Sequence, residues 1–436
     1  MSADYDFYRR ALAGRHLPAA FVDLDVLDAN LADLRRRAGA LPIRLVTKSV
    51  RCVAILRRAL ASSPQFQGLM CYSPAEAAWL ASLGFDDLLV AYPSVEPDDL
   101  SAVAAQLRAG RTIALMVDAA AQVRRIAQVA QAEGVVQPLA IDLDMSSDFP
   151  GLHFGVFRSP VDGVAAALAL AAEIARHPSL RLDGLMGYES QIAGLMDAVP
   201  GQALKSAVIR LLKRRSIPEV NERRRATVAA LAAAGHKLRF VNGGGTGSFE
   251  STRADASVTE LAAGSGLYVP ALFDHYRSFE ARPAAGFAVA VTRSPRPGIV
   301  TCAGGGYPAS GPGGADRMPR PWLPAGCTLI ATEGAGEVQT PVRVPAGVSL
   351  APGDPLLFRH AKAGELCERF NDLLLIAGGA VVDTATTYRG DGKCFFRGRG
   401  RRDVEALVGV CRVSAHASRD AGRRRAAGAA AGRRRA

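Results

Sequence analysis

Apolar runs and amphipathic segments alternate along the first two thirds of the chain. Between Phe21 and about Pro270, short runs that are apolar throughout are separated by longer stretches with apolar residues at helical spacing and a glycine near the end. Strands that are apolar on both faces are typical of a parallel sheet covered by helices. Eight such runs predict a (β/α)8 barrel; they are AAFVDLD, IRLVTK, QGLMCY, DDLLVAY, TIALMVD, PLAIDLDM, LDGLMGYES and LRFVNGGG.

The pattern changes after Arg282, where β-rich runs follow one another between Pro and Gly turns. This pattern predicts a second, mostly antiparallel domain. The predicted organisation is an N-terminal helical extension at 1–17, the barrel at 18–275, the β-rich domain at 276–396 and an Arg/Ala/Gly-rich tail at 397–436. A tail of that composition buries little apolar surface, and we expect it to be disordered.

Positive charge is concentrated in the tail. The chain of 436 residues is 49% hydrophobic and 22% charged, and it carries a net charge of +12. Residues 397–436 contain 12 Arg and only three acidic residues, so the rest of the chain carries only about +3. The tail has no aromatic residue that would stack on bases. We therefore expect no nucleic-acid binding beyond non-specific contact with polyanions.

Secretory and membrane-spanning segments are not expected. The N-terminus has no apolar segment of the signal-peptide type, and the apolar run at 164–175 is too short to cross a bilayer and contains Glu173. Seven scattered cysteines without CxxC pairs do not form a disulfide framework. These features predict a cytoplasmic protein with no membrane partner.

Polar residues cluster at the ends of the predicted barrel strands, where the catalytic residues of such barrels lie. The strand IRLVTK ends on Lys48, and Arg51 follows three residues later. A mouth that excludes water and holds a second cation favours the unprotonated form of a lysine amine, which is the form that reacts with aldehydes. Because a lysine at a strand end is more often exposed or salt-bridged, Lys48 alone does not establish this chemistry.

A glycine-rich loop, NGGGTGSFEST from Asn242 to Thr252, follows the last of the eight runs. Consecutive glycines let several backbone N–H groups converge on a phosphate, and late loops of such barrels commonly hold one. The alternative is a simple Gly-rich turn. A reactive lysine early in the barrel and a phosphate site late in it together indicate pyridoxal phosphate (PLP).

Five ordered motifs resemble the fold type III PLP-dependent enzymes: FVDLDVLDANL, the KS pair at Lys48, GLMGYESQIAG, VNGGGTGSF and TELAAGSGLYVPALFDHY. These enzymes share the alanine racemase N-terminal barrel. The chain is most similar to their D-threonine aldolase and D-serine dehydratase group, which includes proteins called amino acid deaminase/aldolase. The resemblance runs from about Pro18 to Phe396 and implies PLP as the cofactor and a homodimer.

The resemblance also implies roles for individual residues. Lys48 would hold the cofactor as a Schiff base, Tyr188 would lie in the ring pocket as a second catalytic residue, and Tyr268 would lie in the segment that closes it. Arg51 would tune the lysine or position a phosphate or phenolic oxygen of the cofactor. The residues implied at the phosphate are Asn242, Gly243, Gly244, Gly245, Thr246, Gly247 and Ser248.

Three positions depart from the pattern of the relatives. His153 and Arg158 lie where relatives keep a Gly-rich segment with an arginine, but the spacing differs. His153 is a candidate to stack on the cofactor, and a structural role is equally open. Gln191 stands where relatives often have a histidine, and it cannot replace that histidine as an acid or base.

The segment FRHAKAGELCERFNDLLLI contains the candidate ligands of a divalent metal. The aldolase and dehydratase group binds one through a His-x-Cys or His-x-Asp pair followed by asparagine. Cys367 and Asn371 match that spacing, but Glu365 stands at the histidine position, and His360 lies seven residues before Cys367. Residues seven apart on a continuous strand face opposite ways. His360 and Cys367 could share a metal only if the segment AKAG forms a bulge or loop, which Gly364 would permit. They are the preferred ligands for zinc or manganese, because imidazole with thiolate is the more typical zinc pair. Glu365 with Cys367, and a protein without a metal, are the alternatives.

These features predict a PLP-dependent lyase that acts on D-β-hydroxy-α-amino acids. An aldolase, which breaks the Cα–Cβ bond, and a dehydratase, which loses the β-hydroxyl, would share nearly every residue. A PLP-dependent racemase is an alternative; it needs a second acid or base, for which Tyr307 and Tyr388 are conceivable. A non-catalytic PLP-binding protein is a second alternative, but the β-rich domain argues against it because carriers of this fold are a barrel alone.

Overall fold

The structure is a computed structural model that describes residues 3–396, so the tail predicted at 397–436 lies outside it. Every described helix and strand lies in the part of the chain that ends at Lys393. The helices are α1 (Ala3–Ala11), α2 (Leu24–Ala38), α3 (Val53–Ser62), α4 (Pro74–Ser82), α5 (Pro97–Arg108), α6 (Ala120–Glu133), α7 (Val164–Ala175), α8 (Ser190–Ala193), α9 (Ala203–Ala233), α10 (Phe249–Arg253) and α11 (Ser265–Tyr268).

The strands are β1 (Ala19–Asp23), β2 (Ile43–Val46), β3 (Phe66–Cys71), β4 (Leu88–Val90), β5 (Ile113–Val117), β6 (Gln137–Asp142), β7 (Ser147–Phe149), β8 (Leu152–Phe154), β9 (Leu180–Gly187), β10 (Phe240–Gly243), β11 (Glu260–Ala263), β12 (Ala285–Arg296), β13 (Ile299–Ala303), β14 (Arg320–Leu323), β15 (Thr328–Leu329), β16 (Gln339–Arg343), β17 (Pro355–Arg359), β18 (Asp372–Ala377) and β19 (Ala380–Thr386). Short 3-10 turns cover Thr47–Ser49, Ala271–Phe273, Ala315–Arg317 and Ala363–Glu368.

Eight parallel strands close into a barrel in the order β2-β3-β4-β5-β6-β9-β10-β11. Strands β5 and β6 are buried at every residue, as strands covered by helices on one side and by a packed interior on the other must be. The interior is filled mainly by alanines and methionines, such as Met116 and Met186, together with the larger ring of Phe240. The predicted fold class, an alanine racemase-type barrel with a second β domain, is confirmed.

Local signals place the helices around this barrel. Helix α4 begins after Ser73, whose hydroxyl accepts a hydrogen bond from the backbone N–H of Glu76 at 3.1 Å, and Pro74 occupies the first helical position. Helix α6 ends at Gly134, which adopts φ 66 in the left-handed region that favours glycine. No helix within residues 3–396 is long and apolar enough to cross a membrane.

The second sheet has the strand order β15-β16-β13-β12-β1-β18-β19, and β17 pairs with both β12 and β14. All of its pairs are antiparallel except the pair of β1 with β18. The sheet therefore combines a strand from the beginning of the chain with strands from the last third. Helix α1 packs beside it, because the Tyr8 hydroxyl donates to Asp23 at 2.8 Å and the Tyr5 hydroxyl donates to the Pro355 carbonyl at 2.9 Å.

One of the eight predicted barrel strands was assigned wrongly. AAFVDLD contains β1, which lies in the second sheet, and the eighth barrel strand is β11, from TELAA. Strand β1 is almost wholly buried, like a barrel strand, because it lies between two neighbours in the interior of its own sheet. Strand β11 is only four residues long and ends in two alanines, so its apolar signal is weak.

Candidate functional site

A pocket opens at the carboxyl ends of the barrel strands. Its floor is the upper layer of the barrel core, against which Val46, Tyr92 and Tyr188 pack. The empty space inside and above it amounts to about 690 Å³, including the solvent at its open mouth. The polar and glycine residues that line it are Lys48, Ser49, Cys71, Tyr72, Tyr92, Arg158, Tyr188, Asn242, Gly244, Gly245, Thr246, Gly264 and Ser265.

Lys48 enters this pocket from the 3-10 turn after β2. The hydroxyl of Thr47 donates to the Met70 carbonyl at 3.0 Å, and the backbone N–H of Arg51 donates to the Thr47 carbonyl at 2.9 Å, so the turn is held on both sides of the lysine. The Lys48 Nζ donates to the Tyr92 hydroxyl at 2.7 Å. The amine is therefore fixed inside the pocket rather than exposed on the rim.

Arg158 is a second cation beside Tyr92. Its NH2 donates to the Ala91 carbonyl at 2.7 Å and its Nε to Asp142 at 2.8 Å, and its guanidinium carbon lies 5.0 Å from the centre of the Tyr92 ring. Burial alone would raise the pKa of Tyr92, but the charges of Lys48 and Arg158 outweigh it, so that pKa lies below its usual range.

Asp142 supports Arg158 from the end of β6. Its side chain is 1% exposed, and one carboxylate oxygen has no hydrogen-bond partner among residues 3–396. Burial raises the pKa of Asp142 to about 7, although the charge of Arg158 acts in the opposite direction. Asp142 does not line the pocket itself, but it is bonded to Arg158, which does. A carboxyl group that titrates near neutral pH thus lies directly behind the pocket wall.

The glycine-rich loop forms the far wall. Gly244 adopts φ 76, which favours glycine, and a Cβ on Gly247 would lie 2.4 Å from the Ala193 carbonyl oxygen. Gly244, Gly245 and Thr246 line the pocket, whereas Gly247 lies outside the lining and packs against Ala193 and Tyr276. The Thr246 hydroxyl accepts from the backbone N–H of Gly266 at 3.0 Å, which joins this loop to the one after β11.

Behind the loop lies a buried network that the sequence did not indicate. Glu189 accepts from the backbone N–H of Gly244 at 2.9 Å and from the Thr252 hydroxyl at 3.1 Å, and it pairs with Arg224. Arg224, at 0% exposure, also pairs with Asp255 at 2.8 Å. Charges buried in this way are stable only as a complete set, so the network fixes the position of the loop.

Several predicted residues do not line the pocket. Arg51 donates to the Lys48 carbonyl at 3.0 Å and pairs with Glu368, so it supports the lysine turn from outside. The Tyr268 hydroxyl is buried and donates to the Val50 carbonyl at 3.1 Å. His153 lies on the β7–β8 hairpin, where it bonds to Asp148 at 2.8 Å and its ring stacks on an exposed phenylalanine.

The two tyrosines considered for a racemase are also outside the lining. Tyr388 is fully buried, with its ring edge against Trp79. Tyr307 packs between Phe287 and Phe370 in the β-rich domain.

The residues of the predicted metal site do not fit a divalent ion. Among residues 3–396, no three His, Cys, Asp or Glu residues are grouped to hold a metal. The Cys367 thiol is fully buried and donates to the Val50 carbonyl at 3.3 Å, and burial raises its pKa, which opposes the thiolate that a metal needs. His360 lies at the end of β17, whereas Cys367 lies in the separate 3-10 turn, so the two donors do not share a strand face.

Glu365, the other candidate ligand, contacts Ser310 and Lys362. Its carboxylate accepts from the backbone N–H of Ser310 at 2.8 Å and lies 3.8 Å from the ammonium of Lys362. A cation in that position disfavours a divalent ion. These contacts tie the Gly/Pro-rich loop around Ser310 to the turn that packs on the Lys48 carbonyl, since a Cβ on Gly364 would lie 2.5 Å from that oxygen.

Sequence reasoning missed the roles of three pocket residues. Tyr92 was recognised as a strand end but not as the partner of Lys48, because the contact depends on how the barrel closes. Gly264 and Ser265 were missed because β11 was not counted among the barrel strands. The signal was present, since AAGSG repeats the pattern of small residues after a strand.

Known proteins resemble this chain in sequence. The family model described as alanine racemase, N-terminal domain, matches residues 22–271. A 3-hydroxy-D-aspartate aldolase of Paracoccus denitrificans (strain Pd 1222) is 26% identical over 270 residues, which are 61% of this chain and 63% of that protein. A D-threonine aldolase of Arthrobacter sp. is 27% identical over 256 residues, or 58% and 61% of the two chains. The matched region thus spans about three fifths of these relatives.

Solved structures resemble it over a larger part of the chain. D-threonine aldolase from Filomicrobium marinum has a TM-score of 0.74 at 22% identity and covers 87% of this chain and 96% of its own. D-threo-3-hydroxyaspartate dehydratase from Delftia sp. HT23 has a TM-score of 0.66 at 20% identity and covers 86% and 98%. At these identities the similarity establishes the fold, including the second sheet.

Proposed function

Since the chain belongs to the alanine racemase N-terminal domain family, and with it to the fold type III PLP-dependent enzymes, we propose that it is a PLP-dependent lyase acting on D-β-hydroxy-α-amino acids. The observation that carries the proposal is the position of the Lys48 amine, inside a pocket whose far wall is a glycine-rich loop. The names of the relatives, two aldolases and a dehydratase of D-hydroxyamino acids, support the substrate class.

The pocket residues fit PLP. The Gly244–Thr246 loop and the Gly264–Ser265 pair approach the same space from neighbouring strands, and a Cβ on Gly245 would lie 3.2 Å from the Tyr188 ring on the pocket wall. These residues would hold the phosphate, and Lys48 would hold the cofactor covalently. Bound PLP would supply an electron sink for the Cα of an amino acid.

The chain's own residues would position the substrate and move protons. Tyr188 and Phe273 provide aromatic walls that exclude water from the reacting atoms. Burial raises the pKa of Tyr188 to about 12, so its hydroxyl would stay protonated as a hydrogen-bond donor. The Lys48 amine, once released by the substrate, would take or return a proton at Cα, which is the step that a dehydratase requires.

The proposed reaction includes no divalent metal, because burial keeps Cys367 as a thiol and Glu365 is paired with Lys362. Aldolase and dehydratase activities remain equal candidates within the lyase class. The resemblance also predicts a homodimer. Measurement of the mass of the protein in solution tests this prediction.

Replacing Lys48 tests the central claim. Purified protein loaded with PLP should be yellow, and Lys48→Ala should abolish the visible band because no other amine faces the glycine-rich loop within the described pocket. Lys205→Ala, which changes an exposed lysine on α9, should keep it. A wild-type protein that stays colourless with PLP contradicts the proposal.

The reaction is identified by its products. The enzyme should be incubated separately with D-threonine, D-serine and 3-hydroxy-D-aspartate, and each mixture assayed for glycine plus aldehyde, for keto acid plus ammonia, and for the L-isomer. The first product pair identifies an aldolase and the second a dehydratase. If the L-isomer is the only product, the enzyme is a racemase and the proposed lyase activity is wrong.

A further inference from the structure

Tyr92 contacts the Lys48 amine but has no role in the proposed function. Tyr92 follows β4 and lines the pocket, and its hydroxyl oxygen is 2.7 Å from the Lys48 Nζ. The ammonium lies 5.3 Å from the centre of the Tyr92 ring, about twice its distance from the hydroxyl oxygen. The hydroxyl, rather than the ring face, is therefore the group that meets the amine.

Arg158 holds Tyr92 in this position. Its two hydrogen bonds, to Asp142 and to the Ala91 carbonyl, fix the guanidinium at 5.0 Å from the ring centre. Three alternate strands of the barrel thus contribute to one arrangement: Lys48 lies after β2, Tyr92 after β4, and Asp142 on β6 acts through Arg158. A tyrosine that only filled space would not need this alignment of its hydroxyl on an amine.

We propose that Tyr92 is a catalytic acid–base residue that takes the proton of the Lys48 ammonium and later returns it. In the forward step the N–H bond of the ammonium breaks and the O–H bond of the phenol forms, so that a phenolate becomes a phenol and the ammonium becomes a neutral amine. No other reactant is needed, because the proton stays within the pair. The inference rests on the proposed function, since the neutral amine is the form that reacts with the PLP aldehyde.

The charges around Tyr92 favour the phenolate. Lys48 and Arg158 face it from the turn after β2 and from the loop before α7, and together they outweigh burial, so the pKa of Tyr92 lies below its usual range. Tyr188 faces it from the end of β9. Asp142 acts through Arg158: below about pH 7, where Asp142 becomes protonated, the guanidinium charge is less compensated and favours the phenolate further.

The test compares the full-length wild type with Tyr92→Phe. The rate at which cofactor-free protein takes up PLP is followed by the visible band as a function of pH. Without this acceptor the ammonium has to give up its proton to solvent, so the rate of uptake by Tyr92→Phe at pH 7 should fall by a factor of about 10². Tyr307→Phe removes a tyrosine hydroxyl from the β-rich domain, outside the pocket lining, and should leave the uptake profile unchanged.

A second readout needs no cofactor. The ultraviolet difference titration of tyrosine should show one group in the wild type that ionises before the others, and Tyr92→Phe should remove that group. An unchanged uptake profile in Tyr92→Phe, or the absence of an early-ionising tyrosine, overturns the inference. Failure of the wild type to take up PLP at Lys48 would overturn the proposed function instead, and the tyrosine titration would still decide the ionisation of Tyr92.

Discussion

Arg224 does not line the pocket, yet it helps to fix the position of the glycine-rich loop. It is fully buried, pairs with Glu189 and Asp255, and donates to the Gly187 carbonyl at 3.2 Å. Glu189 in turn holds the backbone N–H of Gly244. The position of the glycine-rich loop is therefore set by charges on a long helix, α9, on the outer side of the barrel.

Arg224→Leu should destabilise the protein by about 3–5 kcal/mol, because two carboxylates would be left buried without their partner. Urea unfolding measures this loss. Arg225→Leu is the matched control: Arg225 is the next residue on α9, its side chain is 56% exposed, and its pair with Glu222 is on the surface, so its loss should change stability by less than about 0.5 kcal/mol. Equal losses in both variants would contradict the structural role of the network.

Glu76 couples stability to pH. Its side chain is at 0% exposure, one oxygen accepts from the backbone N–H of Tyr72 at 2.7 Å, and burial raises its pKa to about 7. In the unfolded chain a glutamate titrates near pH 4. The folded state therefore binds a proton more tightly, and the stability that this binding contributes is complete below about pH 4 and is lost as the pH rises through 7.

Glu76→Gln should remove this contribution while keeping an oxygen that accepts from Tyr72. The free energy of unfolding should consequently fall less between pH 5 and pH 8 in the variant than in the wild type. Urea titrations at the two pH values give the comparison, and parallel pH dependences in the two proteins would refute it. Asp142 titrates in the same range in both proteins and cancels in the difference.

Single residues were predictable where their chemical type was unusual for their position. A lysine at a strand end and three consecutive glycines stand out in the sequence, and both Lys48 and Gly244 line the pocket. The partners of these residues were not predictable, because Tyr92 and Glu189 meet them only through closure of the barrel. The reverse holds for His153 and Tyr268, which stood out by type or motif but make their contacts away from the pocket.

At the scale of elements, the apolar pattern identified strands but not the sheet to which each belongs. Strand β1 and the barrel strands have the same buried pattern, since interior strands of either sheet are covered on both faces. The pattern also underrates short strands rich in alanine such as β11. The β-rich character of the last third was predictable, because Pro and Gly turns punctuate it.

The end of β11 should be sensitive to size. A Cβ on Gly264 would lie 2.7 Å from Ser49 and 2.9 Å from Val46, so Gly264→Ala would displace the turn that carries Lys48. We expect the dissociation constant for PLP to rise roughly tenfold or more, which corresponds to about 1.4 kcal/mol. Equilibrium binding followed by absorbance measures it.

Gly313→Ala is the control for that experiment. A Cβ on Gly313 would meet no atom within 4 Å and the residue lies outside the pocket, so its affinity for PLP should be that of the wild type. If Gly264→Ala binds PLP as tightly as Gly313→Ala, the close packing between β11 and the lysine turn has no part in cofactor binding.

At the scale of the whole molecule, the second sheet depends on the start of the chain. Strand β1 pairs with β12 on one side and with β18 on the other, so it joins the two halves of that sheet. The turn at Ala363–Glu368, which packs on the Lys48 carbonyl, leads directly into β18. A disturbance of β1 would thus reach the site through the sheet.

Deletion of residues 1–23 should prevent formation of a stable protein, because the sheet would lose an interior strand and expose two apolar edges. Thermal unfolding and the soluble yield measure this effect. Deletion of residues 397–436, the basic tail outside the described structure, should leave the unfolding temperature unchanged and reduce only binding to polyanions. A protein without residues 1–23 that unfolds at the wild-type temperature would contradict the role assigned to β1.

The place of β1 in the sheet also orders events during synthesis. About 350 residues separate β1 from β18, its parallel neighbour, and a ribosome adding roughly 5–20 residues per second needs about 20–70 s to make them. All eight barrel strands are made in that interval, so the barrel can assemble while β1 still lacks β18. The last strands to leave the ribosome therefore complete the sheet around the first.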